Sequence, residues 1–183
     1  MVANEQAARP TSVVVVMGVS GSGKTTIGAL VADAKTVPFV DADDLHPIDN
    51  VKKMAAGTPL DDEDRWPWLD IVGRRLQEAE ESGEGVVMAC SALRRVYRDR
   101  IRATAPSTIF LHLHGSLEVL TARLEGRSGH FMPPALLSSQ METLEALTED
   151  ETGYVLDIGQ SVEQMIDEAL PALQSIRDEM PRG

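Results

Sequence analysis

Eight consecutive residues, Gly18-Val19-Ser20-Gly21-Ser22-Gly23-Lys24-Thr25, carry the arrangement G-x-x-x-x-G-K-[ST] in full. That spacing suits one task. Glycines at Gly18, Gly21 and Gly23 let the backbone turn tightly enough for successive N–H groups, with those of Ser20 and Ser22, to face phosphate oxygens. A helix starting near Lys24 adds the positive end of its dipole and the free N–H groups of its first turn, Thr25 and Thr26 included. Lys24 can reach the β- and γ-phosphates of ATP, and the Thr25 hydroxyl can serve Mg²⁺. An apolar run, Val13–Met17, leads into the loop, and a helical pattern follows it, which is the context the motif requires.

A second group of chemical residues must decide what is done with the phosphate. Asp41 and Asp43 follow a short apolar run, at the carboxyl end of a strand, where ligands bind in parallel sheets. One carboxylate can serve Mg²⁺, and the other can orient or deprotonate an acceptor hydroxyl. The chain has no Asn-Lys-x-Asp segment, so guanine-specific switches are disfavoured. The run Val86–Cys90 ends in Cys-Ser rather than in the metal-holding Asp of motor and transporter ATPases. Arg123 and Arg127 flank a glycine-containing stretch and can close over a transferring phosphate. Arg94 lies near the end of the third strand, and Arg65 follows the acidic run Asp61–Asp64; the other arginines after Arg94 read in part as surface charge. His112 and His114 face one side of a strand but are too few for a metal site. Trp66 and Trp68 read as packing rather than sugar stacking.

The elements that position these residues follow from periodicity. Strands are expected at Val13–Val16, Pro38–Val40, Val86–Cys90, Thr108–His114 and Tyr154–Ile158. Helices are expected at Thr25–Ala34, Asp49–Ala55, Asp64–Glu81, Leu93–Ala103, Leu117–Leu124, Leu136–Leu147 and Val162–Ile176. Gly126–Ser138 reads as a mobile loop. Strands alternating with helices give an α/β fold, a parallel sheet covered on both faces. At 183 residues the chain is expected to form one domain. A net charge of −12, from 29 acidic and 17 basic side chains, argues against nucleic acid and anionic membrane surfaces as partners. A single cysteine, Cys90, and an N-terminal stretch without the apolar core of a signal peptide fit a cytoplasmic protein.

The segments Met17–Thr25, Asp41-Ala42-Asp43-Asp44-Leu45-His46-Pro47 with Asn50 and Lys53-Met54, Gly57–Arg65 with Pro67-Trp68-Leu69, Cys90-Ser91-Ala92-Leu93-Arg94 with Tyr97-Arg98-Asp99, Gly129–Met132 and Gln140–Glu145 resemble the gluconokinases. These are phosphate-loop kinases related to shikimate kinase and adenylate kinase. The resemblance runs from about Val13 to Ile158. It implies a five-stranded parallel sheet of the nucleoside-kinase-like type, an acceptor-binding helical region over about 46–82, a mobile lid over about 123–138, and often a homodimer. It also implies ATP-dependent phosphorylation of gluconate at its 6-hydroxyl. By similarity Asp43 faces the acceptor and Asp41 the magnesium. Arg65 and Arg94 become candidates for the sugar acid, and Arg123 and Arg127 for phosphate and adenine. Lys24, Asp43 and Arg127 are the candidate catalytic groups. His46, His130 and Gln140 are candidate substrate contacts. The alternatives are another small-molecule kinase of shikimate or nucleotide type, or a nucleotide-binding sensor without transfer chemistry.

Overall fold

Val13–Met17 is buried along its whole length, which only a central strand with both faces covered can satisfy. In the computed structural model, which describes residues 12–126 and 134–181, this run is β1, the middle of a five-stranded sheet. Its partners are β2 (Phe39–Asp41), β3 (Val86–Ala89), β4 (Ile109–His114) and β5 (Gly153–Asp157), in the order β2-β3-β1-β4-β5. All four pairings are parallel, with Val14 beside both Val87 and Ile109.

Parallel strands need crossovers, and among the described residues six helices lie between strands: α1 (Lys24–Lys35), α2 (Ile48–Ala55), α3 (Asp62–Glu81), α4 (Arg95–Thr104), α5 (Leu117–Glu125) and α6 (Pro134–Thr143), with α7 (Val162–Glu179) after β5. Side chains alternate across a strand, so β1 feeds two cores. Val14 and Val16 pack with Ile27 and Val31 of α1 and with Met165, Ala169 and Leu173 of α7. Val13, Val15 and Met17 pack with Leu69, Val72 and Leu76 of α3 and with Tyr97 and Ile101 of α4. Each fully buried aliphatic side chain contributes about 1.5–3 kcal/mol. No helix of the described residues is long and apolar enough to cross a membrane.

The five strands lie within a residue or two of their sequence expectations, and the differences among the helices have local causes. Helix α3 starts at Asp62 rather than Asp64 because Asp61 and Asp64 form a reciprocal capping box. Pro67 then falls in the second turn. Helix α6 was expected over Leu136–Leu147 but runs over Pro134–Thr143. Its proline occupies the first helical position. It stops early because the Glu145 N–H leaves the helix to donate to the Leu93 carbonyl, 2.7 Å away. The expected loop over Gly126–Ser138 is therefore helical from Pro134 onward. The rest of that loop lies outside the described residues, with Arg127, His130 and the centre of the expected lid.

Candidate active site

Three groups of residues meet at the carboxyl ends of β1, β2 and β3. The first is the loop after β1. Gly18, Gly21 and Gly23 have φ of 147°, 80° and 95°, values that L side chains rarely adopt. A Cβ at Gly18 would stand 2.9 Å from the Leu113 carbonyl oxygen and 2.8 Å from Ser22 Oγ, so the tight path needs glycine. Helix α1 starts directly from Gly23 with no side-chain cap and no acidic residue in its first turn. The Ile27 N–H donates to the Gly23 carbonyl, so the N–H groups of Lys24, Thr25 and Thr26 precede the first helical donor. An uncapped helix start of this kind, with Ser22 Oγ buried and without a partner among the described residues, fits a phosphate chain. Lys24 Nζ donates to the Val19 carbonyl at 3.1 Å, which holds it along the loop. The Arg123 guanidinium reaches the same place, 3.8 Å from where a Cβ on Gly23 would be, and donates to the Ile158 carbonyl at the end of β5.

The second group follows β2. Asp41 Oδ1 accepts the Asp43 N–H at 3.0 Å and caps a single 3₁₀ turn, Ala42–Leu45. This fixes the Asp41 carboxylate against the backbone that carries Asp43. Asp43 is exposed, yet neighbouring protein atoms thin the hydration of its carboxyl. That burial, with the charge of Asp41, pushes its carboxyl above the usual carboxylate range; His46 and Lys24 pull it back in part. The oxygens of Thr25 and Asp41 are hard donors of the type Mg²⁺ takes alongside phosphate.

His46 stacks on Trp68 with ring centroids 4.2 Å apart. The Asn50 amide nitrogen lies 3.2 Å from His46 Nδ1 and donates to the Asp64 carbonyl at 2.9 Å. Burial lowers the His46 pKa, with Asp43 opposing, so the ring is neutral. With Asn50 donating to Nδ1, the proton sits on Nε2, leaving a donor for a ligand oxygen. Trp68 donates from Nε1 to the Ala42 carbonyl at 2.8 Å, which settles its role as packing under the Asp41–Asp43 turn.

The third group joins α3 to the loop after β3. Arg94 Nη1 donates to Asp62 Oδ2 at 2.9 Å, and Arg65 Nη1 donates to the Tyr97 hydroxyl at 3.2 Å. That hydroxyl donates in turn to Asp62 Oδ1 at 2.6 Å. The Tyr97 hydroxyl, then Arg94 and Arg65, hold the Asp62 carboxyl below the usual carboxylate range. The sequence singles out both arginines but shows Asp62 only as part of the acidic run Asp61–Asp64.

Two contacts tie these groups together. Gln140 Oε1, on α6, accepts the Ser20 N–H at 2.7 Å, which puts this expected substrate contact on the phosphate loop. Five residues later Glu145 Oε2 accepts the Arg95 N–H at the start of α4. Beneath them Arg98, fully buried, pairs with Glu151 at 2.7 Å and donates to the carbonyls of Ala92 and Leu93. Burial opposes the Glu151 charge, but the Arg98 bonds and the Thr148 N–H bring its pKa below the usual value. Ala92 has φ of 43°, a strained value for alanine, and Arg98 binds the carbonyl of that residue. Arg98 belongs to the arginine cluster after Arg94 that reads in part as surface charge. Its sequence signals are its place in the Tyr97-Arg98-Asp99 segment of the resemblance and its position beside Tyr97 and Ile101 on the inner face of α4.

His112 is buried with no partner for either nitrogen among the described residues, and burial lowers its pKa to about 4. It is packing, as is Cys90, whose thiol burial pushes up to about 12.

A family model for shikimate kinase matches residues 20–172. The thermosensitive gluconokinase of Escherichia coli K12 is 43% identical over 164 residues, covering 89% of this chain and 88% of that protein. A gluconokinase of Gluconobacter oxydans is 47% identical over 137 residues, covering 75% and 77%. The crystal structure of a gluconokinase from Sinorhizobium meliloti superposes with a TM-score of 0.84 at 46% identity, covering 93% of this chain and 95% of the other.

Proposed function

Because the chain belongs to the gluconokinase family, within the wider shikimate kinase group, we propose that it transfers the γ-phosphoryl group of ATP to the 6-hydroxyl of D-gluconate, giving 6-phospho-D-gluconate and ADP. What supports this reading is a phosphate loop after β1 together with two guanidiniums, Arg65 and Arg94, held in one cluster with Asp62 and Tyr97. Residues 46–82 supply most of that side.

The transferred group carries spread negative charge, so the chain's main work is positioning and electrostatic stabilisation. The loop N–H groups and Lys24 bind the β- and γ-phosphates, and Arg123 adds a guanidinium from α5. Thr25 and Asp41 would hold Mg²⁺, which when bound supplies charge neutralisation between the phosphates. Asp43 accepts or orients the proton of the 6-hydroxyl, and the Nε2–H of His46 offers a bond to a substrate oxygen. Arg65 and Arg94 match the gluconate carboxylate. Arg127 and His130 stay in the proposal on the resemblance alone. A reduced Cys90 fits the cytoplasm, and the family resemblance extends the reading to a homodimer.

D-gluconate should be used in preference to D-glucose, because a neutral sugar leaves unmatched the positive charge that Arg65 and Arg94 hold in excess of Asp62. Such loss of a built polar contact costs about tenfold or more in kcat/KM. Product formation with D-gluconate, D-glucose, shikimate and nucleoside monophosphates checks it. Equal use of gluconate and glucose sinks the assignment, and preference for shikimate or a nucleotide moves it to another kinase of this fold.

Gln140 belongs to the nucleotide side. Gln140→Glu keeps an oxygen for the Ser20 N–H but sets a charge against the phosphates. ATP binding, read by titration calorimetry without gluconate, should weaken about tenfold. An unchanged affinity would place Gln140 away from the phosphate chain.

A further inference from the structure

Arg65 and Arg94 carry like charges, yet both guanidiniums lie close to one ring, 5.7 and 5.4 Å from the centre of Tyr97. Two cations so placed repel each other, and flexible side chains would separate unless something held them. Asp62 and the Tyr97 hydroxyl form the only continuous link between them among the described residues: Arg65 to the hydroxyl, the hydroxyl to one Asp62 oxygen, Arg94 to the other. A direct Arg65–Asp62 approach of 3.7 Å completes the cluster.

The charge arithmetic matters as much as the geometry. One carboxylate against two guanidiniums leaves one positive charge, the complement of one acceptor carboxylate. Each guanidinium has five N–H donors, and the contacts above use one of each, so both keep donors for a ligand. Helix α3 holds Asp62 in its first turn, where the Asp61–Asp64 capping box fixes the backbone. Trp66 packs edge-on against Tyr97 at 5.7 Å and fixes the ring. The charge-selecting element is thus preorganised from two helices, α3 and α4, which lowers the ordering cost of binding.

We infer that Asp62 and the Tyr97 hydroxyl are specificity-determining positioning residues: they hold Arg65 and Arg94 as a pair with one net positive charge and so select an acceptor that carries a carboxylate. The inference rests on the gluconate reading. It assigns a role to two side chains that need not touch the transferred phosphoryl group.

The experiment compares Tyr97→Phe and Asp62→Asn with the wild-type protein on two acceptors, D-gluconate and D-glucitol, which has the same open chain without the carboxylate. Tyr97→Phe keeps every charge and the ring, so its effect has one sign. The KM for gluconate should rise about fivefold or more with kcat within about twofold, because one charge-assisted bond to each neighbour is lost. Asp62→Asn should raise that KM about tenfold or more, since the guanidiniums then separate. The kcat/KM for glucitol should stay within about twofold in both, so that the preference for gluconate shrinks. The double variant should be no worse than Asp62→Asn, as the two act through one network. If wild-type protein does not phosphorylate gluconate, the functional reading fails and the inference with it. If wild-type protein does so but gluconate KM is unchanged in Tyr97→Phe, or kcat/KM for both acceptors falls alike, the inference alone fails. A lower KM in Asp62→Asn would make Asp62 a competitor of the acceptor carboxylate, which also overturns it.

Discussion

Lys24→Ala should reduce turnover by roughly a hundredfold or more while leaving the fold almost unchanged. The two halves of this expectation rest on different facts. Lys24 is the first residue of α1 and contributes nothing to either core. Its amine bonds a carbonyl of its own loop, Val19, so losing it removes a local contact that water can replace. Alanine is also a good helix former. The thermal midpoint without nucleotide should therefore move by only a few degrees. In transfer the ammonium faces charge developing on the phosphates in a site partly closed to water, where a fixed cation is worth far more than in bulk. A further consequence is specific to this site. Lys24 helps keep Asp43 ionised, so the residual activity of Lys24→Ala should fall off at higher pH on its acid side than the wild-type activity does. Near-normal turnover would remove the phosphate loop from the chemistry.

The sheet was legible because its signals are local. Val13–Met17 and Val86–Ala89 are short β-branched or apolar runs, each with a glycine at one end, and burial on both faces leaves such runs little other use. The phosphate loop was legible because backbone N–H groups do its binding, and a loop of that shape needs glycine at set places. Asp41 and Asp43 were visible by their place after a strand. The rest depended on contacts between distant residues. Asp62 stands in an acidic run and is the first residue of α3; its second role needs Arg94 and Tyr97, which lie 32 and 35 positions away. Arg98 looked superficial because a charged residue on a helix usually is, and its partner Glu151 is 53 positions off. Gln140 was assigned to the acceptor although its oxygen lies on the Ser20 N–H, because nothing local says where the end of a helix docks. The early end of α6 was hidden for the same reason, since Glu145 is drawn off by Leu93 on another element.

Asp43→Asn should lower turnover about tenfold or more and leave ATP affinity almost unchanged. A carboxylate that takes an acceptor proton contributes about 10²–10⁴ in rate, and a loose phosphoryl transfer, needing little early deprotonation, favours a smaller loss. The substitution preserves shape, and the backbone N–H of residue 43 still donates to Asp41 Oδ1, so the turn stays in place. What is lost is the charge. Because burial and Asp41 raise the Asp43 pKa, the acid side of the wild-type pH–rate profile should lie above the ordinary carboxylate range, and Asp43→Asn should erase that limb. The stability sign is opposite to the activity sign. A carboxyl whose pKa is higher in the folded than in the unfolded state binds its proton more tightly when folded, so its ionised form costs stability above the raised pKa, and that cost fades as pH falls through it. At neutral pH Asp43→Asn should therefore match or exceed the wild-type thermal midpoint while being much slower. Asp41→Asn provides the contrast. Its amide oxygen can still accept the Asp43 N–H, so the turn survives, but a metal ligand has lost its charge. Its activity should recover as magnesium is raised, whereas that of Asp43→Asn should not. Turnover of both variants across a magnesium titration decides between them: rescue of Asp43→Asn alone would exchange the two roles, and rescue of neither would take magnesium away from Asp41.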